Sequence, residues 1–248
     1  MHADESATVS APAAKRNPRQ IASWHHLIGF LLIMAGIAAL GYRAQHASGG
    51  TSSGQLADHS KAIYAYLVAG VMDWALLYYC WAGVHDRGGN LSTLSGGRWA
   101  SWRVLAADVV ITVPFWALWE ATAYGVNWLL GPSTAKSVND LLPRTFLEIL
   151  LWIAVSITAG FCEELAFRGY LQSQLHALSG SLAVAVIAQA LVFGLAHGYQ
   201  GWKAVIVISV LGVLYGLLAA WRRNLRANIM AHALSDIWEG WLKFVVWR

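Results

Sequence analysis

The sequence predicts an all-α protein, a polytopic membrane helix bundle with about seven transmembrane helices. Three observations carry that prediction. Hydrophobic residues make up 57% of the 248-residue chain and charged residues 12%, against roughly 45–50% and about 25% in soluble domains. The mean hydropathy is +0.48. Several apolar runs reach or exceed the roughly 20 residues a helix needs to cross a bilayer, and seven are counted, over about 21–42, 61–84, 103–130, 146–167, 182–199, 202–221 and 226–247. Helix is the expected form because lipid gives backbone N–H and C=O groups no partner outside their own segment. A soluble protein of buried helices would need more charge to cover its surface.

The elements follow in order. Residues 1–20 are polar, rich in Ala and Ser, and carry Lys15, Arg16 and Arg19, the composition of a disordered tail. The run over 21–42 is too long for a removable signal peptide and lacks a small-residue cleavage site, so it is expected as a retained first helix. HASGGTSSGQLADHS leads to the second helix, DRGGNLSTLSGGRW to the third, and GPSTAKSVNDLLPR to the fourth. Glycine and serine punctuate each of these loops, and none is long enough for a second domain. Residues 21–144 thus supply three N-terminal spans and residues 145–248 four more. Polar residues inside the first three helices are sparse: His25, His26, Asp73, Asp108 and Glu120. The dense polar set lies from about residue 145 onward, and the chemistry is expected there.

Charge and cysteine usage narrow the function classes. The net charge is +4 and the pI about 9.2, but the cations flank membrane segments, so the chain is not read as a nucleic-acid binder. A cytoplasmic N-terminus puts Lys15, Arg16, Arg19, Arg87, Arg98, Arg103, Arg168, Arg222, Arg223 and Arg226 inside, and leaves Arg43, Lys61, Lys136, Arg144, Lys203, Lys243 and Arg248 outside. That asymmetry favours N-in, C-out, and the membrane expected is a bacterial inner membrane. Trp24, Trp102, Trp202, Trp221 and Trp247 fall at segment ends, where interfacial rings belong. Cys80 and Cys162 both sit in apolar runs, which suggests neither a disulfide framework nor a cysteine zinc site.

The stretch FCEELAFRGY, residues 161–170, follows an apolar run. An ionisable group at the centre of a membrane helix costs roughly 2.5–3.5 kcal/mol on insertion scales, which makes it a functional candidate by default. Glu164 and Arg168 are four apart with the acid first, the favourable order for a helical ion pair. Glu163 is rotated about 100° away and has no such partner in its own helix. Two later helices can answer it. One carries FGLAHG, with Phe193 and His197 four apart; the other carries NIMAHALSD, with Asn228, His232 and Asp236 at successive i+4 positions.

Depth is the next test. Glu163 and His197 lie at nearly equal distances from the turn near Ser179–Ser181, so an antiparallel hairpin would place them level. His232 lies nine residues beyond Arg223, about 13 Å along its helix, and Glu163 five residues before Arg168, about 8 Å. His197 is also close to the turn before Trp202, which points to the opposite face. Gly194, Gly198 and Gly201 offer places for a break in the helix.

This pattern resembles the CAAX-protease and bacteriocin-processing (Abi) family of glutamic-type intramembrane proteases. The family's motifs are Glu-Glu-x-x-x-Arg, Phe-x-x-x-His and His-x-x-x-Asn or Asp, and the chain reads EELAFR, FGLAH and HALSD. The resemblance covers roughly residues 145–240, in the family's order. It implies that Glu163 activates water, that His197 and His232 assist, and that Asp236 belongs to the oxyanion-stabilising motif, with Glu164, Arg168, Phe193 and Asn228 in support. An ionised Asp236 cannot donate to an oxyanion, so it is expected to orient and charge His232, as a carboxylate does in a triad. Asn228 is the amide that could stand in. The expected substrate is a peptide or membrane protein met in the bilayer, with no cofactor; prenylated proteins are substrates of some family members.

Two other readings use the same residues. Glu163, His197 and His232 form a His2Glu set that could hold zinc with a water in the fourth position, although no His-Glu-x-x-His sequence is present. A non-catalytic immunity or scaffold protein, or a proton relay, would also retain a buried acid and histidines. Cys162 points about 100° away from Glu163 on an α-helix and is expected to be structural.

Overall fold

The computed structural model describes residues 20–47, 59–131 and 141–246. The tail over 1–19, the stretches 48–58 and 132–140, and with them Lys15, Arg16, Arg19, Lys136, Trp247 and Arg248, lie outside the described residues. Eight helices run through the rest: α1 (Trp24–Ala47), α2 (His59–His85), α3 (Leu91–Ser95), α4 (Trp102–Leu130), α5 (Phe146–Ser179), α6 (Leu182–Ala196), α7 (Trp202–Arg222) and α8 (Arg226–Val246). No strand occurs among the described residues, so the architecture is the all-helical bundle expected. Five helices, α1, α2, α4, α5 and α7, are long and apolar enough to cross a membrane. The other two expected spans differ. Helix α6 has 15 residues, a rise of about 22 Å against a hydrocarbon core of about 30 Å. Helix α8 carries Asn228, His232, Asp236 and Glu239 and is less apolar than the five.

Large apolar side chains cover the outside: Leu32, Val71, Val110 and Trp128 are each at least 66% exposed. Such a surface suits lipid, which does not penalise it as water does. The chain is thus an integral membrane protein. One core cluster joins Ala22, Phe30 and Cys80 of the first two helices to Cys162, Tyr170, Phe193 and Leu225. Both cysteines are free and buried.

Polar contacts register the helices where apolar packing alone would let them slide. Gln174 is fully buried; its Oε1 accepts from Ile21 N at 2.9 Å and Ala22 N at 3.0 Å, and its Nε2 donates to Ala22 O at 2.8 Å. The start of α1 is thereby tied to the end of α5. Asp108, also fully buried, accepts from Arg222 Nη2 at 2.7 Å, Arg226 Nε at 2.7 Å and Trp99 Nε1 at 2.9 Å. It pins the start of α4 to the turn between α7 and α8. At the other end, Lys203 Nζ donates to Gly131 O at 3.3 Å. Within lipid each such bond replaces an unsatisfied polar group.

Arg168, counted above with the inner-face cations, is 2% exposed. It belongs to the interior because its guanidinium neutralises Glu164, and it contributes nothing to the charge asymmetry of the surface.

Candidate active site

Helix α5 begins with a capping box: Thr145 Oγ1 accepts from Glu148 N at 3.2 Å, and Glu148 Oε2 accepts from Thr145 N at 3.2 Å. This start fixes the phase of the helix that carries both glutamates. Eighteen residues later the winding widens to a π-helix over Glu164–Leu171, with every residue of it buried. Such segments are rare and often accompany functional sites. One turn before the glutamates, Gly160 lets α8 approach. A Cβ there would lie 2.8 Å from Ala233 N and 3.0 Å from Ile229 O, so only glycine permits this backbone contact.

That approach brings His232 to the glutamates. Its Nδ1 lies 2.9 Å from Glu164 Oε1, and its Nε2 lies 3.8 Å from Glu163 Oε2 and 3.7 Å from Asp236 Oδ2. Glu164 also accepts from Arg168 Nη1 at 2.8 Å and from Asn228 Nδ2 at 3.2 Å. A carboxylate has room for about four such bonds. Glu164 is fully buried; it is therefore more than half of an intrahelical ion pair, and it is the group that holds His232. Asp236, expected to orient that ring, instead shares the Nε2 side with Glu163, because Glu164 already occupies Nδ1. Asn228 gives its amide to Glu164 and to Tyr215 O, the latter at 2.9 Å. Both N–H groups being committed, it does not stand in as an oxyanion donor.

Arg168 lies between two rings, its Cζ 4.4 Å from the centroid of Phe193 and 5.0 Å from that of Tyr215. This cation–π stacking complements the Glu164 bond in a place without water. Phe193 also packs on His197 at 4.7 Å between centroids, so the Phe-x-x-x-His spacing serves the arginine as well as the histidine.

His197 ends α6. Its Nδ1 lies 2.8 Å from Phe193 O. A carbonyl only accepts, so Nδ1 carries the proton and Nε2 is the ring nitrogen left for other partners. The chain then passes through a 3₁₀ turn, Gly198–Gln200, before α7. Tyr199 and Gln200 of this turn line the same cavity as Glu163. The break that the glycines allowed thus falls directly after His197, at the turn Gly198–Gln200.

Glu163, His197, His232 and Asp236 line one cavity of about 780 Å³. His197 and Glu163 share that wall without an ion-pair contact; Glu163 is joined to His232 instead. Among the described residues no three His, Cys, Asp or Glu side chains are gathered as a group that could hold a metal ion, the His2Glu set included. The cavity also takes Asp73 from α2, Glu120 from α4, and Tyr199, Gln200 and Tyr215. Sequence reasoning noted Asp73 and Glu120 as isolated intramembrane acids and gave them no role. Tyr199 and Gln200 sit in the turn, where no periodicity marks them.

The stretch that carries the glutamates and histidines has a counterpart elsewhere. Residues 145–238 match the family model for type II CAAX prenyl endopeptidases, described as Rce1-like. By that match the segment is Rce1-like. No curated protein matches the chain, and no solved structure does. The Rce1-like segment opens at the capping threonine of α5 and holds all three motifs. The other cavity walls, from α2 and α4, lie before it.

Proposed function

We propose that this protein is an intramembrane endopeptidase in which Glu163 draws a proton from water as that water attacks a peptide carbonyl. One observation carries the reading: His232 is fixed through Nδ1 by a buried Glu164, which turns Nε2 toward Glu163 across 3.8 Å. Separations of that length suit two groups acting on one water between them. Glu163 is the general base, and His232, aligned by Glu164, steadies the water and the charge that develops. The tetrahedral oxyanion needs a donor held in place before the reaction. His197, anchored by its Nδ1 to a backbone carbonyl, is that donor when its Nε2 is protonated. Asp236 sets the charge on the Nε2 side of His232. A peptide or membrane-protein substrate enters from the bilayer.

The direct test uses purified protein in detergent and a library of hydrophobic decapeptides, with cleavage followed by mass spectrometry. Glu163→Gln is expected to lower turnover about 10²–10⁴-fold, the usual weight of a general base, with the fold intact. Wild-type turnover in that variant would refute Glu163 as the base, and no cleavage by the intact protein would refute the peptidase reading. A scaffold would retain its cellular phenotype with Glu163 replaced, and a proton relay would lose flux without any peptide being cut. With Glu163 as the base and no metal in the reaction, dialysis against a chelator is expected to leave turnover within about twofold; a loss reversed by added zinc would favour the His2Glu alternative.

The same reading places the N-terminus in the cytoplasm of a bacterial inner membrane. With Arg168 buried, nine cations stand on the inner side against seven on the outer. Gln174 ties the start of α1 to the end of α5, and Asp108 ties the start of α4 to the end of α7, where Arg222 and Arg226 lie.

A further inference from the structure

Asp73 is the single charged residue of α2 between Lys61 and His85. An acid in an apolar span is retained for a reason more often than not, and this one is partly buried and faces the cavity of Glu163, His232 and Asp236. Its neighbour Trp74 packs against Phe161 of α5, with centroids 6.1 Å apart. That contact holds this part of α2 against the stretch of α5 that carries Glu163, and Asp73 and Glu163 line the same cavity. Helix α5 packs on α2 and on α8, so Asp73 reaches the cavity from one flank of Glu163, and His232 and Asp236 reach it from the other.

Amide hydrolysis moves two protons. Attack of water makes a C–O bond and releases a proton to a base; collapse of the adduct breaks the C–N bond, and nitrogen departs as an amine only on receiving a proton. Adjacent carboxyls in a low dielectric hold a proton between them, and a site with two can run both transfers at once. We propose that Asp73 is the second carboxyl of the reaction, delivering a proton to the leaving nitrogen while Glu163 retains the one taken from water. Water, the amide, protonated Asp73 and ionised Glu163 become acid, amine, ionised Asp73 and protonated Glu163. Return of the proton from Glu163 to Asp73 restores the site. The inference rests on the peptidase reading and adds to it a residue from outside the Rce1-like segment.

The test takes the first library peptide that the intact protein cleaves and compares it with an aryl ester of its acyl portion, whose leaving group departs without a proton. Asp73→Asn is expected to lower kcat on the amide about 100-fold with KM within about threefold, and to lower kcat on the ester less than about threefold. A merely structural role would depress both substrates alike. Equal loss on amide and ester, or no loss on either, overturns the inference while leaving Glu163→Gln to judge the peptidase reading; no library cleavage by the wild type overturns both. Asp236→Asn is the control, and an ester-sparing loss there but not at Asp73 assigns the proton to α8 and refutes this proposal. Should Asp73→Asn not fold, Asp73→Glu decides by the same comparison, with amide turnover falling and ester turnover spared if the inference holds.

Discussion

The two oxygens of Glu164 take donors from Arg168, His232 and Asn228, whereas Glu163 meets one imidazole nitrogen across 3.8 Å. Substitution should separate these circumstances. Glu164→Gln leaves Arg168 charged and uncompensated in a fully buried place, and breaking a buried pair from one side costs about 3–5 kcal/mol. Thermal unfolding in detergent is expected to show that loss, together with loss of peptide cleavage as His232 comes adrift. Glu163→Gln removes a carboxylate that supports no other side chain by a short hydrogen bond, so its melting temperature is expected to stay close to that of the wild type while activity falls. Equal destabilisation of the two variants would contradict the division of roles. The sequence made Glu163 conspicuous because helical rotation gave Glu164 a partner and left its neighbour without one. What rotation could not show is that a carboxylate serves several donors: pairing with Arg168 did not use Glu164 up, and the ring-orienting task expected of Asp236 went to it.

At the scale of the element, α5 and α6 position the site by departures from regular helix. The close passage of α8 over Gly160 is a backbone contact, so added bulk cannot be absorbed by a side chain turning aside. Gly160→Leu is expected to push α8 outward and separate His232 from both glutamates. Cleavage should be lost along with several degrees of melting temperature, whereas Leu at Gly36, which has open space around it, should change neither measurement. The early stop of α6 at Ala196 is the second departure. Glycines at 194, 198 and 201 marked where a break was possible, yet nothing in a run of apolar residues says at which one the helix ends. Hydropathy counts the residues that tolerate lipid and is silent on where the hydrogen-bond ladder closes. For the same reason the π-helical winding of Glu164–Leu171, which depends on what packs around it, was not legible.

For the whole molecule, composition and apolar runs were enough to give an all-helical membrane bundle, because lipid leaves a chain so few alternatives. The short helix Leu91–Ser95, inside a stretch expected as loop, was not legible, because five residues held by caps leave no apolar run. Nor were the contacts between helices, since Asp108 lies more than a hundred residues from Arg222 and Arg226 and no local pattern joins them. Those contacts hold that end of the bundle together. Asp108→Ala strands two arginines and one indole N–H, and a cost of about 3–5 kcal/mol in unfolding free energy is expected, measured by thermal or denaturant unfolding in micelles. Asp108→Glu, which retains the charge, should recover part of it. Unchanged stability in the alanine variant would mean that the end of α7 is held by packing alone.

Tyr66 and Asp73 on α2, and Trp119 and Glu120 on α4, wall the chamber on sides that residues 145–238 do not supply. A fragment cut to the matched residues would open its glutamate and histidines directly to acyl chains. The Glu163–His232 pair and part of the wall around it thus come from different stretches of the chain, and exchanging α1 to α4 with an acid retained in the place of Asp73 is the graft expected to change which guests are admitted.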